Sequence, residues 1–545
     1  MDHFFNFPHP ISYYLIGGAA LAAFMVLAVL PAWRVLGERA FEIIFLLSGG
    51  ASLFGCRWPI FLWPDPLNPD EGGFIACAMK ARIDWVPWRA FDAGSSGPLN
   101  CDILALPALF GAEIGFFSAR VIGLCLIAGA IGALYYAVKW IYGESAARLS
   151  IVPPVLLFSL TKHVDFVHYS SEHFSIFLTT VGLAAAAYLA RGSGSKSSRL
   201  MACALGGLIL GCPVFAKLQA MPIAFMVFVS LAAGIFITPS SNNKKMELLV
   251  AGAGLVAIPA LFLIILFATG TFAEAVISYY KMALLYVRSR GPLGPSFVFM
   301  SVHEYTVFLV ISLAVVVSGG AALSSRIKFS RTNSWASLGS ILLLLASLFA
   351  GYHAHRNFPH YLLFSVIPVS FCVANVLGLL QQSDLGLDQS GVARSLFVVL
   401  FLLPLGSEAL NSTNYYNAEA RIPRRAEELA VARHVKPGDR MAVWGWRPEL
   451  YVQTKTIMAT RDGSIPNLVE VSRYREHFRA RFLADLRTNP PRVIVDSVAP
   501  GAFAYRERAT QGIESFPLLE AFVREHYTQR EEVAGVRIFV ANDSP

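Results

Sequence analysis

Apolar stretches of about twenty residues, the length that crosses roughly 30 Å of hydrocarbon, recur along the chain from residue 11 to residue 410 and then stop. They fall at 11–33, 41–60, 118–141, 149–163, 170–190, 200–216, 218–238, 247–269, 297–323, 335–352, 361–381 and 394–410, twelve expected spans. From Asn411 onward charged residues become frequent, and short β-like runs alternate with helical ones. The pattern predicts strands at Arg440–Trp444, Arg492–Asp496 and Val536–Val540, and helices near Arg424–His434, Val471–Thr488 and Pro517–His526. The expected fold class is an α-helical polytopic membrane protein of about twelve transmembrane helices over residues 1–410, with a C-terminal soluble α/β domain over 411–545.

Composition excludes a soluble globular alternative. The 545 residues are 55% hydrophobic and 15% charged, against about 25% charged in soluble domains, and the mean hydropathy is +0.55. The net charge of +8 does not indicate nucleic acid. Its cations instead gather in alternate loops, as Arg34 and Arg39, Arg148, Arg191 with Lys196 and Arg199, Lys244 and Lys245, and Arg326 with Lys328 and Arg331. These are the expected cytoplasmic loops. An even number of spans then returns both termini and the tail domain to the periplasmic or luminal side. The first apolar stretch runs to Arg34 without a small-residue cleavage site, so it is expected to stay as an anchor of an inner-membrane protein. Seven cysteines show no CxxC or metal-like spacing, and Cys77 and Cys101 in one outer loop are read as separate thiols.

Two outer loops, 61–117 and 270–296, are too long to be plain connectors. The first holds amphipathic pieces at Phe74–Val86 and Asp102–Phe110, with Trp85, Trp88 and Phe91 expected in the membrane interface. The second mixes Tyr279, Tyr280 and Tyr286 with Lys281, Arg288 and Arg290 and reads the same way.

Four groups could carry chemistry. Asn68-Pro69-Asp70-Glu71-Gly72 puts adjacent carboxylates just outside the second span. Asp70 there is either a general base for an acceptor nucleophile or the N-cap of a helix starting at Glu71 or Gly72. Lys217 stands between two apolar stretches, where a lysine either serves a function or snorkels to the interface; a point cation there can hold a lipid-linked phosphate. Tyr352, His353, His355, Arg356, His360 and Tyr361 cluster at an outer boundary. The segment has no carboxylate to complete a metal site, so Arg356 and His360 are read as phosphate or sugar contacts, and Tyr361 as an aromatic platform or interfacial anchor. Finally, Tyr169, Ser171, Glu172 and His173, preceded by Lys162, His163, Asp165 and His168, crowd the outer start of the fifth span. Glu172 there binds a sugar hydroxyl, pairs with Lys217, or is simply solvated.

Taken in order, these groups resemble the GT-C superfamily of polyprenyl-phosphate-sugar-dependent glycosyltransferases, in the branch of protein O-mannosyltransferases and lipid A aminoarabinose transferases. The shared features are the acidic pair Asp70-Glu71, the turn Gly97-Pro98-Leu99, the run Tyr169-Ser170-Ser171-Glu172, and a Gly-rich span from Gly206 to Gly211 leading to Lys217. Arg356-Asn357-Phe358-Pro359-His360-Tyr361 follows, and then the tail segments Lys436-Pro437-Gly438-Asp439, Trp444-Gly445 and Pro448-Glu449-Leu450-Tyr451. Two departures are an extra span before the usual first one and the absence of a lysine before Pro98. The resemblance implies inverting transfer of a hexose or pentose from a polyprenyl-phosphate donor to a protein, lipid or polysaccharide acceptor at the outer membrane face. Asp70 would be the base, Glu71 would support it or bind the sugar, and Lys217, Arg356, Arg288 or Arg290 would meet the phosphate. The leaving phosphate already carries its charge, so no metal or other cofactor is expected. A transporter or flippase, or a non-catalytic envelope assembly protein, is the alternative; neither broken midplane spans nor an internal repeat is evident.

Overall fold

The structure is a computed structural model, and it describes residues 10–30, 37–238, 243–288, 301–324, 330–353, 356, 358–383, 391–410, 425–463 and 465–542. In chain order the helices up to residue 410 are α1 (Pro10–Val29), α2 (Glu38–Phe61), α3 (Pro69–Ala81), α4 (Leu99–Ala105), α5 (Phe116–Tyr142), α6 (Glu144–Ser150), α7 (Val152–Leu160), α8 (Ser171–Ala190), α9 (Lys196–Gly211), α10 (Met221–Ile237), α11 (Lys244–Ala268), α12 (His303–Leu323), α13 (Arg331–Tyr352), α14 (Leu363–Gln382) and α15 (Gly391–Leu410). The tail contributes α16 (Ala426–Ala432), β1 (Arg440–Trp444), α17 (Glu449–Thr454), β2 (Ile457–Met458), α18 (Arg475–Thr488), β3 (Val493–Asp496), α19 (Pro517–His526), β4 (Tyr527–Val533) and β5 (Val536–Ala541).

Ten described helices are long and apolar enough to cross a membrane, and the protein is a polytopic integral membrane protein. They match ten of the twelve expected spans, and α1 overlaps the first. The stretch 149–163 is not one continuous helix: it breaks at Ile151 between α6 and α7. Pro153 and Pro154 cause this, because their rings and missing N–H groups are tolerated only in a first helical turn. Polar caps set several starts. The side chain of Ser195 accepts the Ser198 N–H ahead of α9, and that of Ser330 the Asn333 N–H ahead of α13.

The chain divides into two compact units. The helical unit comprises 1–62, 123–264 and 285–420. Within it the span Pro359–Gln382 is almost wholly buried among its neighbours, while few residues of Lys244–Ala268 are buried. The second unit comprises 63–122, 265–284 and 421–545. Much of both expected outer loops therefore packs with the tail, whereas the linear reading drew a single boundary after residue 410.

The reason lies in the tail's sheet, whose order is β2-β1-β3-β5-β4, with β2, β1 and β3 parallel to one another and β5 antiparallel to both of its neighbours, β3 and β4. Alternate residues face opposite sides. Ala442, Trp444 and Ile494 pack under α18 and α19 with Phe478, Phe482, Leu486 and Leu519. Met441, Val443, Val493 and Val495 face the other way and share a core with Ala76, Cys77 and Ala81 of α3, Phe91, and Cys101 of α4. The first outer loop thus supplies one cover of the tail's sheet. Trp88 and Phe91, expected at the membrane interface, are buried in this unit, and Trp88 packs against Tyr279 with ring centroids 5.9 Å apart. Trp85 alone of the three is exposed.

Candidate functional site

Within the helical unit, four breaks in helical structure bring polar side chains together. Glu172 sits in the first turn of α8, behind the capping residue Ser170. Lys217 is held in extended backbone between the short helix Pro213–Ala216 and the turn Leu218–Ala220. His360 and Tyr361 occupy a 3₁₀ turn leading into α14, and Asp165 belongs to the short helix Val164–Val167. Pro213 and Pro359 each stand at the first position of their segment, where a missing N–H costs least.

Glu172 and Lys217 are both buried and form an ion pair. The Lys217 ammonium also donates to Ser171 Oγ at 2.7 Å and lies 5.2 Å from the Tyr361 ring centroid. The Ser170 hydroxyl donates to the other Glu172 oxygen. From Tyr361 the network continues outward: its hydroxyl is 3.3 Å from that of Tyr286, and the Arg356 guanidinium stands 4.7 Å over the Tyr286 ring. Behind it, Asp165 Oδ1 lies 3.4 Å from His168 Nε2 and 3.8 Å from His360 Nδ1. Burial of Asp165 opposes its charge, but the two facing imidazoles outweigh burial and hold its carboxyl well below the usual carboxylate range. The carboxylate that the His-rich segment lacks in sequence is therefore supplied by another segment. Among the described residues no cluster of three or more His, Cys, Asp or Glu has metal-site geometry.

The second unit holds the acidic pair. Helix α3 begins at Pro69, and its cap is the Asn68 side chain, which accepts the Asp70 N–H at 3.0 Å. The capping alternative for Asp70 is thereby removed, since Asn68 does that work two residues earlier. Glu71 is fully buried and bound on both oxygens by Arg120 at 2.9 Å. Arg120 in turn donates to the carbonyls of Trp63 and Asp65. The Asp70 carboxylate is half-buried and accepts no hydrogen bond from the described residues.

Sequence reasoning singled out Glu172, Lys217, Arg356, His360 and Tyr361, and the fold gathers them. Arg288, exposed at the end of the short helix Met282–Arg288, belongs to the same unit; Arg290 and His355 lie outside the described residues. Two residues were missed. Tyr286 reads from sequence only as interfacial, and Arg120 does not stand out among the four groups. The signal for Arg120 was available, as a lone arginine one turn into an otherwise apolar span start.

No family model matches the chain. No curated protein matches it either. Solved structures do. ArnT from Cupriavidus metallidurans bound to undecaprenyl phosphate is similar with a TM-score of 0.55 at 13% identity, over 92% of this chain and 98% of that one. The apo state of the same protein is similar with a TM-score of 0.48 at 14% identity, over 91% of this chain and 97% of that one. An oligosaccharyltransferase from Archaeoglobus fulgidus tethered to an acceptor peptide follows at 0.47 and 11% identity, over 95% of this chain and 72% of that one. With ten long apolar helices among the described residues and an α/β tail, the chain shares the fold of the ArnT structure bound to undecaprenyl phosphate.

Proposed function

We propose that this protein is a membrane glycosyltransferase that moves a sugar from a polyprenyl-phosphate donor to an acceptor, with inversion and with Asp70 as general base. The observation that carries the reading is the unequal treatment of the acidic pair: Glu71 is locked by Arg120, whereas the Asp70 carboxylate is half-buried with its acceptor capacity unused by the described residues. ArnT, whose fold this chain shares, binds undecaprenyl phosphate, which fits a donor of that class. In the reaction the acceptor hydroxyl oxygen attacks the anomeric carbon, its proton passes to Asp70, and the carbon–oxygen bond to phosphate breaks with its electron pair leaving on the phosphate. Lys217, Arg356, Arg288 and Arg290 stabilise that leaving group electrostatically. Tyr361, His360 and Glu172 shape the donor site, and Glu172 sets the position of the Lys217 ammonium. The reaction takes place on the periplasmic face of the inner membrane, in keeping with the charge asymmetry of the loops.

The test is Asp70→Asn in purified full-length protein, with turnover followed as polyprenyl phosphate released from lipid-linked sugars extracted from native membranes. Loss of a general base lowers kcat about a hundredfold or more. Undiminished release would remove Asp70 from the role.

A further inference from the structure

The deepest-set contact on the acidic helix comes from the tail. Gly72, two residues after Asp70 on α3, faces the backbone of Glu449: a Cβ at Gly72 would lie 2.8 Å from the Glu449 amide nitrogen and 3.0 Å from its Cα. Those are main-chain atoms that cannot swing aside, so only glycine admits this approach. Gly73 faces the Pro448 ring in the same way, with 3.8 Å of room. Glu449 opens α17, and its carboxylate is ion-paired with Arg447. The same guanidinium reaches Glu427 at 3.2 Å and Glu428 at 3.7 Å on α16. All four side chains are buried. One buried cation thus gathers three carboxylates from two tail segments, an arrangement that hydrophobic residues would fill at less electrostatic cost. The other side of α17 is tied to the sheet, where the Val443 N–H donates to the Tyr451 hydroxyl at 2.8 Å. At the far end of α3, Lys80 Nζ donates to the Met458 carbonyl at 2.6 Å. The tail therefore grips α3 at both ends, and at the Asp70 end it does so through Pro448 and Glu449, the latter held by Arg447.

Resting on the reading of Asp70 as the base, we propose that Arg447 and Glu449 are positioning residues: they fix α17 against Gly72 and thereby set where the Asp70 carboxylate stands. The tail is then part of the catalytic platform. A displacement of about 1 Å in a catalytic group costs on the order of a hundredfold in rate, and any shift of α17 reaches Asp70 through two residues of helix.

The test uses full-length protein and compares Arg447→Met, Arg447→Lys and Gly72→Ala with Asp70→Asn, with kcat expressed per monodisperse folded molecule and KM measured for the lipid-linked sugar donor. Arg447→Met and Gly72→Ala are expected to lower kcat about ten- to a hundredfold with KM within about twofold. Arg447→Lys, which keeps the charge, is expected to recover part of the loss. A purely structural role lowers the yield of folded protein and leaves kcat per folded molecule unchanged. Should Arg447→Met not fold, Gly72→Ala decides the question, since it adds one methyl group and removes no charge. Wild-type kcat in the folded variants, with Asp70→Asn inactive, overturns the positioning role and leaves the base assignment standing. Full activity of Asp70→Asn overturns the base assignment and the inference with it.

Discussion

Arg481 carries three carboxylates at once, Asp92 and Glu274 at 3.0 Å and Asp462 closer still, and it also donates to Ser278 at 2.8 Å. Each segment of the second unit contributes one partner: the first loop Asp92, the second Glu274 and the tail Asp462. Removing the guanidinium leaves buried like charges facing one another, so Arg481→Met is expected to destabilise the protein by about 3–5 kcal/mol in chemical denaturation. Asp462 behaves differently. Burial first, with the Asp92 charge adding to it and Arg481 opposing, pushes its carboxyl up to about 6. The folded state therefore binds this proton more tightly than the unfolded chain does, and stability falls as pH rises from the ordinary value of 3.8 to about 6. Asp462→Asn removes that slope, so the stability of the variant relative to wild type is expected to climb between pH 4 and pH 7; parallel stability curves would refute the assignment. In the helical unit the pair Glu172 and Lys217 separates stability from function. Lys217→Met strands a buried carboxylate and is expected to cost about 3–5 kcal/mol, whereas the double variant with Glu172→Gln regains most of that stability. If the ammonium serves the donor phosphate, transfer stays lost in the double variant. Recovered transfer would make the pair structural only.

At the scale of elements, α11 meets α9 through glycine, beside the buried Arg199–Glu247 ion pair. A Cβ at Gly207 would fall 2.1 Å from the Ala251 carbonyl oxygen, and one at Gly211 2.5 Å from that of Leu255. The two glycines are four residues apart on one face of α9, the small-residue pattern by which membrane helices approach closely. Gly207→Leu is expected to lower thermal stability by about 1–3 kcal/mol through overpacking, while Gly252→Leu on α11, which meets open space, is expected to change it little. Equal effects at the two positions would contradict this packing. The sequence marked the glycines of α9 only as a motif, because the facing helix is a matter of tertiary structure. Other elements were legible to the residue: β1 and α19 have the expected bounds, since each is a dense local pattern between clear breakers. The missed strands have physical explanations. β2 has only two residues, and β4, Tyr-Thr-Gln-Arg-Glu-Glu-Val, is a polar edge strand with scarcely any buried face to betray it. Residue type alone points Trp88 and Phe91 to the interface; Phe91 is instead buried in the core it shares with the tail sheet, and Trp88 against Tyr279.

For the whole molecule, what escaped the linear reading was that the outer loops and the tail are one folded body. Hydropathy locates spans because each span satisfies its own backbone, so the helical unit was readable segment by segment. The second unit is assembled from three stretches far apart in the chain, and no local pattern records that α3 and α4 will cover a sheet more than three hundred residues away. The polar groups of each unit show the same division. Glu71, Lys217 and His360 stand out as ionisable groups beside apolar runs, whereas the side chains that face them, Arg120, Glu172 and Asp165 respectively, lie in other segments. A consequence follows for the tail as a fragment. One face of its sheet is covered by its own α18 and α19, but on the other Met441, Val443, Val493 and Val495 share a core with Ala76, Cys77, Phe91 and Cys101 of the first loop. Residues 421–545 expressed alone would expose part of that apolar face to water, at about 25 cal/mol for each Å² uncovered. The fragment is expected to bind a hydrophobic dye and to unfold without a sharp transition, and fusion to residues 63–122 is expected to restore cooperative unfolding. A tail fragment that is monomeric and unfolds cooperatively by itself would show that its fold does not depend on the loop, and that the loop merely rests on a finished domain.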